Sequence, residues 1–386
     1  NAMSEVFVNG VSVAYHEGGF STFRANITDQ LVDGENTIIV SADNSSNDRV
    51  YPQMADFTFF GGIYRNVYII EAPAVRFDLD YLGGEGVKVT PIVNEDGSAT
   101  VTVDSYITGA TDGGTVKCDI LFDGEVVATA EASATAKTTL TYTLENPTLW
   151  DGVENPALYT AKVTLTTDND SDERVVRFGV RTMKADKDGF WLNGRNVRLV
   201  GAARHQDRAG LGNALTAAEH EEDMQILRDM GANTVRLAHY QHAQYFYDLC
   251  DKYGLVAWAE IPYITEHMPE ATANTLSQME ELVLQNYNHP SIICWGLSNE
   301  ITVTTGVTEN LTANHRLLND LCHRLDSTRP TTMAHAFMLD PNDPFVQLPD
   351  ICSYNLYYGW YLGELQQNDE FFDTFHKNHP DRVIGL

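Results

Sequence analysis

The chain has 386 residues, 43% hydrophobic and 20% charged, and its 54 acidic side chains outnumber 25 Lys and Arg for a formal net charge of -29. That length and apolar content suffice for two or three packed domains, and so acidic a balance argues against nucleic acid or an anionic membrane as partner. The five cysteines, Cys118, Cys250, Cys294, Cys322 and Cys352, are odd in number, scattered and without a CxxC pair, which reads as reduced core thiols, a cytoplasmic setting and no structural zinc. No apolar run approaches the ~18 residues of a bilayer-crossing helix. Asn1-Ala2-Met3 reads as the remnant of a cleaved tag and is left out of the fold reading.

Residues 4–71 carry VFVNG, VSVAYHEGG, STFRANITDQL, ENTIIVSAD and GIYRNVYII. Period-two alternation broken by Gly, Asn and Asp predicts strands and turns of an antiparallel, jelly-roll-like sandwich. The stretch is too short to close such a sandwich, so the domain is expected to be partial with an open edge. Residues 72–184 follow with VKVTPIV, SATVTVDSYIT, TVKCDILFDGEVVATA, KTTLTYTL, LYTAKVTLTT and RVVRFGV. Short strands at regular spacing predict an immunoglobulin-like sandwich, and nothing in it suggests chemistry.

From residue 185 to 386 strands alternate with helical runs, which marks β/α units around a parallel sheet. The strands are VRLVGA after Asn196, NTVRLAH from Asn233, LVAWAEI from Leu255, SIICWGL from Ser291, TTMAHA from Thr331, ICSYNLY from Ile351 and RVIGL from Arg382. Helices are predicted near Ala217 to Met230, Ala243 to Tyr253, Leu276 to Asn288, Leu311 to Asp326 and Asp369 to Asn378. A (β/α)8 TIM barrel needs eight strands and about 250 residues, so this region is an incomplete barrel that ends in its seventh strand.

In such a barrel the carboxyl ends of the strands converge on one face, where chemistry is done. Here those ends carry Arg204-His205, Arg236 and His239, Glu260, Asn299-Glu300, His335, and Asn355 with Tyr357 and Tyr358. The run SIICWGLSNE is the most pointed of them: a continuous apolar strand stops at a carboxylate suited to general acid/base work. Trp258, Trp295, Tyr357, Trp360 and Tyr361 supply faces on which a sugar ring could stack. The histidines lack metal-ligand spacing, and there is no HExxH or phosphate-cradling loop.

These segments together resemble glycoside hydrolase family 2, the family of β-galactosidases and β-glucuronidases. The resemblance runs through FFGGIYRNV from Phe59, FGVRTM from Phe178 and WLNGRNVRLVGAARHQD from Trp191. It continues through TVRLAHYQH, YFYDLCDKYGLVAWAEIP, NHPSIICWGLSNE and SYNLYYGWYLGEL. It implies a retaining β-glycoside hydrolase with Glu300 as acid/base and Asn299 on the 2-hydroxyl of the sugar. His205, His239, Asn355 and Tyr357 would line the sugar subsite, with Asp56 reaching over from the first domain. A retaining enzyme uses two carboxylates about 5–5.5 Å apart. By the resemblance the second follows the seventh strand, beyond Leu386, so the chain as given is expected to lack hydrolysis. Glu260 is not put in its place.

Within the family NLYYGWYLGEL favours a β-galactosidase acting on terminal β-linked galactosides, with β-glucuronidase as the alternative and a non-catalytic carbohydrate-binding fragment as the second. No cofactor is required. A magnesium ion near the acid/base is known in the galactosidases, but Glu266 and His267 stand out of register for it and no metal ligand is assigned. Open strand edges allow a homo-oligomer.

Overall fold

The computed structural model describes residues 2–385. The first sheet has three antiparallel strands, β1 (Met3–Val8), β2 (Val11–Glu17) and β3 (Ile38–Asp43), in the order β2-β1-β3. Met3 lies within β1, opposite Glu17 and Asp43, and Ala2 is buried just before it with its amide donating to the Asp43 carbonyl (3.0 Å); both residues take part in the fold, from which the sequence reading leaves them out. Two predicted strands are absent. Ser21 to Leu31 is irregular with one 3-10 turn at Thr28–Gln30, and Gly62 to Ile70 makes no ladder, leaving Val67, Tyr68 and Ile69 exposed. Alternating apolar residues promote a strand only where a neighbouring ladder is present to pair with.

The second unit is a sandwich of β4 (Arg76–Phe77), β5 (Val87–Val93), β6 (Ala99–Thr108), β7 (Thr115–Phe122), β8 (Glu125–Ser133), β9 (Lys137–Leu144), β10 (Tyr159–Thr166) and β11 (Ser171–Phe178). One sheet runs β11-β10-β7-β8; in the other, β6 pairs with β4, β5 and β9. Every second residue of β6 is buried, so Val101 and Val103 meet Val116, Ile120 and Val163 across the core. A small antiparallel sheet, β12 (Met183–Asp186), β13 (Gly189–Leu192) and β14 (Arg195–Val197), leads into the barrel.

The third unit is β15 (Gly201–Arg204), α1 (Ala217–Asp229), β16 (Thr234–Leu237), α2 (Gln244–Tyr253), β17 (Val256–Glu260), α3 (Thr272–Asn286), β18 (Ile292–Asn299), α4 (Glu309–Leu325), β19 (Thr331–Ala336), β20 (Ile351–Asn355), α5 (Gln367–Asn378) and β21 (Ile384–Gly385). The seven strands are parallel and in sequential order, a partial TIM barrel. All eight residues of β18 are buried, as in a strand covered on both faces. The first barrel strand starts later than predicted: Arg195–Val197 pairs antiparallel with β13, and the parallel ladder begins at Gly201, where a Cβ would sit 1.9 Å from the Thr234 carbonyl. The final predicted strand, RVIGL, is seen at Ile384–Gly385, and Leu386 lies outside the described residues.

The first domain is fastened to the barrel by α3 and the loop before it. The Tyr51 hydroxyl donates to the Glu266 carbonyl (3.0 Å) and accepts from the Met268 amide (2.6 Å), while the Asn274 side chain accepts from the Tyr51 amide (2.9 Å). Arg65 donates to the Gln241 carbonyl at 2.7 Å and to the Phe20 carbonyl. This docking carries the loop 55–60 to the rim of the barrel mouth. The second domain is held by Arg181, whose guanidinium donates to the carbonyls of Pro290 (2.5 Å) and Ile292 (2.8 Å) at the foot of β18.

Candidate active site

Arg236 is the hub of the barrel mouth. Its guanidinium lies 4.5 Å above the Trp258 ring and donates to the Glu260 carboxylate (3.1 and 3.1 Å), the Asn299 Oδ1 (2.7 Å) and the Asn355 Oδ1 (2.9 Å). Arginine has no acceptor, so both asparagines must turn their carbonyl oxygens toward it. The Asn355 amide also donates to the Asn299 Oδ1 at 3.0 Å. With its oxygen engaged twice, Asn299 has only its NH2 left to offer a ligand. Three strands thus orient one donor.

Glu300 follows directly, with a left-handed backbone φ of 47°. Its amide donates to the Ala334 carbonyl (2.8 Å), and its Oε1 accepts from the Tyr357 hydroxyl (2.9 Å). A non-glycine residue held at positive φ is costly and occurs preferentially at functional sites. Asn299 reaches the mouth because β18 is bulged. Trp295 and Leu297 pack in the core outside the sheet, Gly296 faces inward, and Ser298 bonds His315 of α4 at 2.8 Å. The register with β19 slips between Gly296 and Asn299, and such a slip re-aims the side chain that follows it.

His205 and His239 face each other across the other wall, edge to face at 5.2 Å, with Phe57 of the first domain 5.1 Å from His205 and 6.2 Å from His239. Burial, and then the neighbouring His239, hold the His205 imidazole below its ordinary pKa, while the Asp56 carboxylate is close enough to act against this shift. Asp56 itself is exposed at the rim. Glu260 is wholly buried and accepts from Arg236 and His239. Burial alone would raise its pKa, yet Arg236 and His239 bring it below the ordinary carboxylate value.

All seven residues named from the sequence thus lie about one mouth. Glu300 and Tyr357 touch each other, Asn299 and Asn355 share Arg236, and His205 meets His239 edge to face. Three other expectations fail. Trp295 is fully buried with its indole donating to Asp326 (3.0 Å). His335 is packed against Phe345 and Tyr354, its pKa pushed down to about 3 by burial and by His315. Arg204 is turned outward onto Asp223 (2.7 Å) and the Phe246 ring, because neighbouring residues on a strand face opposite ways. Trp258 serves as the floor beneath Arg236, and Trp360 and Tyr361 stand exposed on the loop after β20. Sequence reasoning missed Phe57, whose only signal is the aromatic cluster FTFF, and the linking role of Arg236.

His267, considered as a magnesium ligand, uses both ring nitrogens within the protein, with Tyr263 and Asn310 at 2.6 Å each. Among the described residues, Asp248, Asp251 and His289 form a group of metal-ligand type. There Asp251 already accepts from Ser291 and His289, and Asp248 pairs with Arg177.

A carboxylate on a strand tip, an oriented amide and two imidazoles thus meet in the mouth of a partial parallel barrel. Models of three domains match in order: the sugar-binding domain of glycosyl hydrolases family 2 over residues 1–73, the family 2 domain over 85–181 and its TIM barrel domain over 183–383. The chain belongs to glycosyl hydrolases family 2. It is 36% identical to a β-glucuronidase of Bacteroides fragilis, over all of this chain and 57% of that protein. A β-galactosidase of Thermoanaerobacter pseudethanolicus is 29% identical over 85% of this chain and 44% of its own length. The crystal structure of an FMN-binding β-glucuronidase from Facaelibacterium prausnitzii L2-6 superposes with a TM-score of 0.96 at 43% identity, over all of this chain and 60% of that one. The chain therefore spans about three fifths of the relatives it matches first.

Proposed function

We propose that the protein of this chain hydrolyses terminal β-glucuronides with retention of configuration, with Glu300 as the acid/base. The observation that carries the chemistry is the Tyr357 to Glu300 hydrogen bond beside the Asn299 donor set by Arg236. Glu300 would protonate the glycosidic oxygen as the bond breaks and later take a proton from the attacking water. Asn299 would hold the 2-hydroxyl through its free NH2, and the His205, His239 and Phe57 wall would seat the ring. The attacking carboxylate belongs, by the family resemblance, after the seventh strand.

The choice of sugar departs from the galactoside preferred on sequence. It is supported by a β-glucuronidase at 36% and the superposed β-glucuronidase at 43%, against 29% and 30% for two curated β-galactosidases and 35% for a structure described as a putative β-galactosidase. The reaction needs no cofactor, and a reducing compartment agrees with five buried, unpaired cysteines. The test is hydrolysis of nitrophenyl β-glucuronide and β-galactoside side by side by the whole protein. Glucuronide turnover that falls about 10²–10⁴-fold in Glu300→Gln supports the reading. Preferential galactoside turnover would overturn the sugar assignment, and a fully active Glu300→Gln would overturn the role of Glu300.

A further inference from the structure

We infer that Glu260 is a positioning residue for sugar binding: it fixes His239 with the proton on Nδ1 and presents Nε2 to the cleft as an acceptor for a sugar hydroxyl. This rests on the mouth being the sugar site proposed above. Glu260 closes β17 with no exposure to solvent, and its Oε1 lies 2.5 Å from the His239 Nδ1. The same carboxylate receives Arg236, which can only donate; Arg236 Nη2 also lies 3.4 Å from the His239 Nδ1, a long contact beside the 2.5 Å one to Glu260, which therefore sets the proton. A carboxylate bound in that way is an acceptor on both oxygens, so the proton between it and His239 belongs to the imidazole.

Nothing else in the described structure bonds the other nitrogen of His239, which is not among the buried unpartnered atoms either. The ring is kept from turning by Phe57 and by His205. Gly296 completes the arrangement: a Cβ there would lie 2.4 Å from the Glu260 Cβ and 2.6 Å from the Trp258 Nε1. Only glycine lets β18 pass behind the carboxylate.

Glutamine keeps the size of Glu260 but neither its charge nor its second acceptor oxygen, so stability of the variant falls in any case and the position of the ring proton is what distinguishes a positioning role. In Glu260→Gln the oxygen would satisfy Arg236 and the NH2 would face His239, making Nδ1 the acceptor and moving the ring proton to Nε2. Imidazole nitrogen NMR of the histidine-labelled chain at neutral pH reads this, with His239→Gln identifying the signal. The expected result is an Nδ1–H pattern in the wild type that shifts toward Nε2–H in Glu260→Gln. An Nε2–H pattern in the wild type, or no change in the variant, would overturn the inference. Should the variant not fold, the wild-type spectrum decides by itself.

Calorimetric binding of glucuronate and of galactose gives the second readout, with about ten-fold weaker affinity expected in Glu260→Gln for one lost hydrogen bond. Equal affinity in a folded variant would refute the acceptor role. A wild type that binds neither sugar would overturn that role together with the proposed function, and the spectrum tells this apart from a failure of the positioning.

Discussion

Replacing Arg236 by Met tests the idea that one cation organises the mouth. Met keeps a flexible apolar stem over Trp258 but removes every donor. Glu260, with no exposure, would then face the interior with only His239 as partner. Orphaning one member of a buried ion pair costs about 3–5 kcal/mol, and the Asn355 Oδ1 loses its donor for about 1 kcal/mol more. The double variant Arg236→Met/Glu260→Gln leaves no unpaired charge and should be more stable than Arg236→Met alone. The pH dependence has a definite sign. In the wild type the Glu260 pKa is held low, so its contribution is complete above the unfolded carboxylate range and fades as pH falls through the folded value. In Arg236→Met the carboxylate protonates more readily, so the gap to the wild type should be widest at neutral pH and close toward acid. Urea denaturation followed by near-ultraviolet circular dichroism reads both effects. A single variant within about 1 kcal/mol of the wild type, or a double variant as unstable as the two singles summed, would refute the reasoning.

Three further outcomes follow from the same geometry. Tyr357→Phe removes the hydroxyl that holds Glu300 and should lower kcat/KM of the whole protein about ten-fold or more with thermal stability unchanged; full activity would show the contact to be idle. Gly296→Ala places a methyl against Glu260 and Trp258, and should cost about 1–3 kcal/mol of stability by overpacking, read as a lower unfolding midpoint. Burial would depress the His289 pKa, but Asp251 at 2.6 Å raises it overall. That pair therefore stabilises below the unfolded histidine value and loses its contribution as pH rises through the folded one. His289→Gln should flatten the alkaline side of the stability profile, and an unchanged slope would place the dependence elsewhere.

Much of the molecule could be read along the chain. The alternation of apolar and polar residues in ATVTVDSYIT and the continuous apolar run IICWGL are local patterns, and the structure matches them with period-two burial in β6 and continuous burial in β18. The rule that parallel strands present their carboxyl ends to one face was enough to gather Glu300, Asn299, His205, His239, Asn355 and Tyr357. Pattern alone failed where pairing decides. Gly62 to Ile70 alternates like a strand yet stays unpaired, because a ladder is a property of two segments.

The finer aim of side chains also lay beyond the sequence. Arg204 and His205 are neighbours with opposite fates, one on α1 and one in the cleft. Trp295 and Asn299 stand four residues apart and would share a face on a regular strand, but the bulge sends Trp295 to the core and Asn299 to the mouth. Which polar residue types stand at the strand ends, Asn299 and Glu300 among them, was thus legible in the sequence. Which oxygen each amide presents, and the pairing of Glu260 with Arg236 and His239, were decided by the tertiary structure, because a hydrogen-bond network drawn from strands β16, β17, β18 and β20 exists only once those strands lie side by side.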